Sequence, residues 1–462
     1  MHAEHRAKPR QRVGHRWKQG ATLLTHTALI RGSIWQRLLS HSWRRTIMKK
    51  ILLLLSLMTV LAFGVQVRAA DTDDLRQLQK AAEQGNVNAQ LELGRRYFDG
   101  EDVPQDSAQA FRWFEKAAEQ GHAGAQTILG SMYAEGMGVK QDYTQALSWY
   151  RKAAEQGDAV AQFNLGAMYK KGEGVGQDDA QAIDWYRKAA EHGLAEAQFN
   201  LGVMYANGKG VRQDDAQAVN WYRKAAEQGF DQAQSNLGRM YDKGRGVRQD
   251  YAQAVNWYRK AAEQGLAAAQ NILGVMYDNG QGVRQDDAQA ANWYRKAAEQ
   301  GYAAAQYNLG IMYESGSGVR QDDAQAFGWF RKAAEQGYAD AQFNLGVMYA
   351  HGRGARQDYA QAVNWYRKAA EQGYAGAQYN LGLMYHDGRG VRQDYAQAVN
   401  WYRKAAEQGH AKAQFNLGVM YNSGRGVRQD LSTAKEWFGK ACDNGFQEGC
   451  NAYKTLNQQG LR

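Results

Sequence analysis

Between Gln249 and Asp286 the apolar positions fall at helical spacing twice. Ala254, Val255, Trp257, Tyr258, Ala261 and Ala262 lie on one broad arc of a helix, opposite Gln253, Asn256, Arg259, Lys260 and Glu263. Asp250 stands just before this run, where a carboxylate can accept from the free N–H groups of a helix start, so the pattern predicts a helix A over Tyr251–Glu263. Gly265 suits the left-handed residue that ends such a helix. A second run, Ala269, Ile272, Leu273, Met276 and Tyr277, predicts a helix B over Ala267–Tyr277, after which Gly280 and Gly282 turn the chain toward the next cap, Asp286. Arg259 and Glu263 are expected to pair along the polar arc of helix A for about 0.2–0.5 kcal/mol.

The unit repeats. The pentapeptide AAEQG begins at Ala81, Ala117, Ala153, Ala225, Ala261, Ala297, Ala333, Ala369 and Ala405, with variants at Ala189 and Ala441, every copy in register at 36 residues. Two antiparallel helices joined by short turns cannot bury their own apolar faces, so neighbouring units must supply the core. The predicted architecture is therefore all-α, a solenoid of about eleven 36-residue helix-turn-helix repeats filling 70–462. Gly274 lies inside helix B, where it costs ~1 kcal/mol against alanine. Its equivalents recur in ten units from Gly94 to Gly418, which predicts close approach of a neighbouring helix. Ten tryptophans, Trp113 to Trp437, also stand 36 apart and are expected to pack between adjacent units.

Ahead of the repeats the pattern changes. Met48-Lys49-Lys50, an apolar run Ile51–Val65 and Val67-Arg68-Ala69 read as a signal peptide over 48–69, cleaved after Ala69. The run is 15 residues long, short of the roughly 20 that span a bilayer. Residues 1–47 read as an upstream extension, disordered and preceding the true start at Met48; a basic arm ahead of an uncleaved anchor and an organelle transit peptide are the other readings. This leader changes the meaning of the charge. The whole chain carries +10, the residues up to Ala69 carry +12, and −2 remains from Ala70 on. The basic balance thus belongs to the leader and gives no support to nucleic-acid binding. Export implies a periplasmic or secreted protein with no stable membrane anchor after cleavage, and the absence of a cysteine near Ala69 argues against a lipoprotein.

Motifs for chemistry are sparse. Ser432-Thr433-Ala434-Lys435 matches the SxxK of penicillin-recognising enzymes, without the SDN and KTG motifs that complete those sites. Gly280-Gln281-Gly282 lacks the third glycine and the preceding strand of a nucleotide loop. His122, His192, His351, His386 and His410 are scattered over different units without ligand spacing, so neither a metal site nor a cofactor is expected. Paired acids such as Asp214-Asp215 read as helix caps.

The blocks WYRKAAEQG, AQ…LG.MY and G.GV, recurring from about Asp71 to Asn457, resemble the Sel-1-like repeat, a longer relative of the tetratricopeptide repeat. The resemblance implies a right-handed α-solenoid and a role in assembling protein complexes, often in the bacterial envelope or at a host interface. It makes Gln77, at a tryptophan position, and Arg96, at a methionine position, polar swaps of a capping unit that meets water. Cysteine-rich members bridge their helices at the spacing of Cys442 and Cys450, which implies a disulfide here, with two buried thiols as the rival reading. Such members have also been linked to β-lactam chemistry, which keeps an envelope hydrolase as the alternative to a non-enzymatic scaffold.

In the related tetratricopeptide fold, helix A lines the concave groove. Carried over, the candidate face is one ladder of Asn220, Asn256, Asn292, Asn364 and Asn400 and another of Arg151, Arg187, Arg223, Arg259, Arg295, Arg331, Arg367 and Arg403. Its ligand would be an extended protein or peptide segment, with acidic groups on the arginines. A solvated face laced with Arg–Glu pairs is the rival reading. A monomer is expected. The residues entering helix B, from His122 and Asp158 to Tyr374 and His410, vary from unit to unit, through partner tuning or through drift.

Overall fold

The computed structural model describes residues 72–458 of the 462, and the predicted leader lies outside them. Among the described residues the chain is an all-α solenoid of 22 helices, A and B types alternating from α1 (Thr72–Glu83) and α2 (Val87–Asp99) to α21 (Leu431–Asp443) and α22 (Gln447–Gln458). Packing divides it into two compact units, one ending at Met204 apart from the loop Gly208–Arg212, the other taking Tyr205–Asn207 and everything from Gln213.

The middle of the second unit shows why the sequence folds this way. Helix α11 spans Tyr251–Glu263 as the pattern predicts, and Asp250 accepts from the Gln253 N–H at 2.9 Å. Its apolar arc is buried, from Ala254 at 0% to Trp257 at 8% exposure. Helix α12 runs Ala267–Asn279, beyond the predicted end at Tyr277, because its stop is Gly280 (φ 65), whose N–H donates to the Met276 carbonyl. Gly274 meets the aromatic ring expected of a close neighbour: a Cβ there would lie 2.6 Å from the Tyr294 ring on helix A of the next unit. Trp293 reaches backward, packing with Ala254, Tyr258 and Leu273 of the preceding unit while Lys296 lies 4.0 Å over its face. Trp293 thus fills the core of the unit behind it, as Trp401 does in the core built on Tyr366 and Leu381.

A second connection between units was not expected. Gln270 is 5% exposed. Its amide donates to the Ala262 carbonyl at 2.9 Å, and its oxygen accepts from Gln300 of the next unit at 2.7 Å. The pattern recurs with Gln126–Gln156, Gln234–Gln264, Gln306–Gln336, Gln342–Gln372 and Gln378–Gln408 at 2.7–2.8 Å. His192 and Asn444 replace the donor glutamine and keep the bond. The result is a hydrogen-bonded spine that follows the chain along each compact unit and satisfies buried carbonyls at the ends of the A helices.

The variable residues entering helix B have two physical uses. Asp158, His122 and His410 cap their helices with a side-chain acceptor. Tyr338 and Tyr374 make no cap bond but pack against Tyr307 and Phe343 of the preceding unit at ring distances of 5.3 and 5.0 Å. The histidine caps give a pH dependence. His410 Nδ1 accepts from the Ala413 N–H at 3.2 Å, which requires the neutral ring, and burial lowers its pKa, as it does for His122. A depressed folded pKa gives stability that is present above the unfolded value of about 6.5 and lost as pH falls through the folded value. Replacing His410 by asparagine is expected to keep the cap and flatten that acid loss between pH 7 and pH 5 in urea titrations. An unchanged slope would show that the ring nitrogen does not cap.

The chain ends depart from the sequence reading in one place. Gln77 is exposed as expected, but Arg96 is 6% exposed and lies 3.1 Å from Glu92 and 3.3 Å from Asp102. It does not meet water; two carboxylates neutralise it inside the first unit. Asp214 caps α9 (Asp215–Glu227), whereas Asp215 is no cap and pairs with Arg245 at 2.7 Å. Cys442 and Cys450 form a disulfide, Cα atoms 4.5 Å apart, joining the end of α21 to α22. Closing so short a loop stabilises the last unit by roughly 2–3 kcal/mol.

Candidate binding surface

The polar arc of helix A is where a partner was expected. Asn220, Asn256, Asn292, Asn364 and Asn400 are all exposed, in the second compact unit, and among the described residues none of their amides has a hydrogen-bond partner. The arginines behave differently. Arg223, Arg259, Arg295, Arg367 and Arg403 are half-buried, and each donates to a tyrosine hydroxyl of helix B in its own unit: Tyr241, Tyr277, Tyr313, Tyr385 and Tyr421, at 2.9–3.3 Å. Arg151 does the same with Tyr169, and Arg187 pairs with Asp184 at 2.9 Å.

The expected pairing of Arg259 with Glu263 is therefore replaced by a tyrosine contact. An arginine four residues before a glutamate is the weaker order for a helical ion pair, because the helix dipole opposes it. Among the described residues Arg331 alone of this ladder turns to its glutamate, Glu335, at 3.8 Å. In that unit Phe327 stands where α11 has Val255, and its ring meets the edge of Tyr349, the tyrosine Arg331 would otherwise reach.

An open cleft of about 570 Å³ lies beside one of these arginines. Arg295 and Tyr313 form one side; Arg320, Asp322 and Gln325, from the following loop and the first turn of the next helix A, form the other. A second cleft, about 410 Å³ and in the first compact unit, is lined by Glu155, Gln162, Trp185, Lys188 and His192. Neither contains Ser432, which is exposed in the first turn of α21 while Lys435 lies 5.5 Å over the Tyr453 ring. Among the described residues no cluster of His, Cys, Asp or Glu is arranged to hold a metal, and no helix is long and apolar enough to cross a membrane.

The sequence reading passed over the spine glutamines and a row of half-buried asparagines on helix B, of which Asn308 donates to Asn271 at 3.1 Å. Both were visible as fixed letters of the repeat, in AQ…NLG and in AAEQG. A buried polar residue that recurs in ten units, as the glutamine does from Gln90 to Gln414, is as strong a signal as the recurring glycine.

The chain belongs to the Sel1 repeat family, whose model matches residues 78–86 and then ten consecutive stretches from 87–122 to 411–446. It is similar to the crystal structure of c5321, a protective antigen present in uropathogenic Escherichia coli strains with an SLR fold. That match has 41% identity and a TM-score of 0.78, over 90% of this chain and 88% of that one. A Sel1 repeat protein from Oxalobacter formigenes matches at 38% identity and TM-score 0.54, over 71% of this chain and 99% of that one. A 66-residue stretch is 44% identical to the secretory immunoglobulin A-binding protein EsiB of Escherichia coli O6:H1, spanning 14% of this chain and 13% of that protein's length. A scaffold of this family fits protein–protein interaction.

Proposed function

We propose that the protein is an exported, non-enzymatic scaffold that holds protein or peptide partners on the polar face of its A helices, in the periplasm or beyond the cell. The observation that carries this reading is the set of five exposed asparagines whose amides bond to nothing among the described residues. A primary amide both donates and accepts, so these asparagines, three and then two at unit spacing with Gly328 between, suit the alternating N–H and C=O groups of an extended backbone. Two relatives lend support to an outward-facing role: one carries the name of an immunoglobulin-binding protein and the other that of a protective antigen. By that analogy the partner lies at a host interface.

In-cell crosslinking followed by capture of the protein tests this. The comparison is a variant with Asn220, Asn256, Asn292, Asn364 and Asn400 all changed to alanine. A specific protein captured by the wild type and lost from the variant is the expected result. Equal capture by both would move the site off the A-helix face, and no specific protein in either would end the scaffold reading.

A further inference from the structure

The loops that close the units of the second compact unit carry arginines at two positions. Arg245 pairs with Asp215, Arg353 with Glu314, and Arg389 with Asp387. At the second position, three residues further on, stand Arg248, Arg284, Arg320, Arg356 and Arg392. All five are exposed, and among the described residues none has an ion pair or hydrogen bond. Where a loop carries both, as at Arg245 and Arg248, Arg353 and Arg356, and Arg389 and Arg392, the chain supplies an acid for the first arginine and leaves the second without one; Gln281 and Ser317 take the first position in the two loops between.

Arg320 stands on one side of the open cleft that Arg295 and Tyr313 bound on the other. The helix arginine is already oriented, since its guanidinium donates to Tyr313 at 3.3 Å and keeps further N–H groups for a ligand. The acid in the cleft, Asp322, is committed to the helix start, accepting from Ala324 at 2.9 Å and Gln325 at 3.0 Å. The cleft thus holds two guanidinium groups against one carboxylate, whose Oδ1 is taken by the helix start. The same residue types recur at Arg259, Tyr277 and Arg284 and at Arg367, Tyr385 and Arg392.

From this we infer that the cleft at Arg295 and Arg320 and the equivalent positions at Arg259 and Arg284 and at Arg367 and Arg392 are anion sites, each built from a helix A arginine and the unpaired arginine of the following loop, and that together they read the carboxylates of one extended acidic protein segment. Planar guanidinium pairs suit carboxylates by bidentate hydrogen bonding. Units stack at roughly 10 Å, and a chain in the polyproline II form advances roughly 3.1 Å per residue with three residues per turn, so the matching segment carries an acid at about every third position, all on one face. The inference rests on the scaffold reading and names the chemistry of its partner. An acidic segment is favoured over an acidic glycan or nucleic acid because the asparagine row on the same helices suits a peptide backbone.

The test uses the purified full chain and fluorescence anisotropy. The probes are three synthetic peptides of equal length and charge, one with glutamate at every third position, one with its glutamates clustered and one scrambled, together with heparin. One variant carries Arg284→Gln, Arg320→Gln and Arg392→Gln. A control carries Arg245→Gln, Arg389→Gln and Arg425→Gln, which removes the same charge from the other loop position. Circular dichroism verifies that both fold. The spaced peptide is expected to bind the wild type more tightly than the clustered one, to weaken about tenfold or more in the first variant, and to keep its affinity within about twofold in the control. Equal losses in both variants, equal affinity for clustered and spaced peptides, or binding of heparin alone would each overturn the inference. Crosslinking separates it from the scaffold reading: a partner lost from the asparagine variant yet retained by the loop-arginine variant leaves the scaffold standing and removes the acidic segment.

Discussion

Replacing Gly282 by alanine is expected to destabilise its unit by about 2–5 kcal/mol, one of the largest effects of any single methyl group in the chain. Gly282 has φ 70, and the left-handed region costs an L-residue ~1–2 kcal/mol. The added Cβ would also lie 2.3 Å from the carbonyl oxygen of Tyr251, at the first turn of helix A in the same unit. That obstacle is backbone, which no rotamer change can move, and overpacking of this kind costs about 1–3 kcal/mol. Gly265 supplies the control. It has φ 97 but nothing within 4 Å of an added Cβ, so Gly265→Ala carries the conformational cost alone. Asp102 shows how the loop tolerates a side chain: it occupies the corresponding position of the first unit at φ 61, and its carboxylate lies 3.3 Å from the buried Arg96. The measurement is the urea midpoint of each variant with amide exchange read at α11 and α12. Equal destabilisation by the two substitutions would mean that the loop does not press on the helix start.

The repeat made much of this legible from sequence. A period of 36 residues fixed the helix pair, and the caps Asp250 and Gly265 set the ends of helix A because each follows from local chemistry alone. Gly274 was legible for a different reason: a helix keeps a costly residue only where something requires it, and Tyr294 is that something. The reading failed where two candidates competed for one side chain. Arg259 had Glu263 on its own helix and Tyr277 on the next, and spacing within a helix cannot see the second. Arg96 was read as a surface swap because its two carboxylate partners, Glu92 and Asp102, come together only when α2 and its loop are folded. The candidate face was legible as a set of positions, since exposure follows from the helical arc. Which of its groups lacked a partner was not, because that depends on every neighbour in three dimensions.

Changing Gln270 to leucine should lower stability by about 1–3 kcal/mol, although the substitution adds an apolar side chain to a buried site. The amide lies at 5% exposure and holds the Ala262 carbonyl at 2.9 Å. Leucine removes two bonds, the second donor on a carbonyl that keeps the Gly265 N–H at 3.0 Å and the acceptor that Gln300 uses, each worth about 0.5–1.5 kcal/mol. The loss also reaches the next unit, because Gln300 donates to Gln270 at 2.7 Å. Gln300→Leu alone should therefore cost less than Gln270→Leu, since Gln300 is exposed and water can replace it. The double variant should fall short of the sum of the two by about 0.5 kcal/mol or more, the signature of residues that share one bond. Gln300→Asn is expected to be mild, because Asn444 already fills that role, donating to Gln414 at 2.9 Å. Urea denaturation of the four proteins measures the cycle. Strict additivity would show that the spine is a set of separate local bonds; a coupling energy would make it a link between neighbours. In a solenoid whose stability is a sum of unit and interface energies, such a link raises the interface part. It holds each unit in register with the next, and with it the row of asparagines that a partner would have to meet.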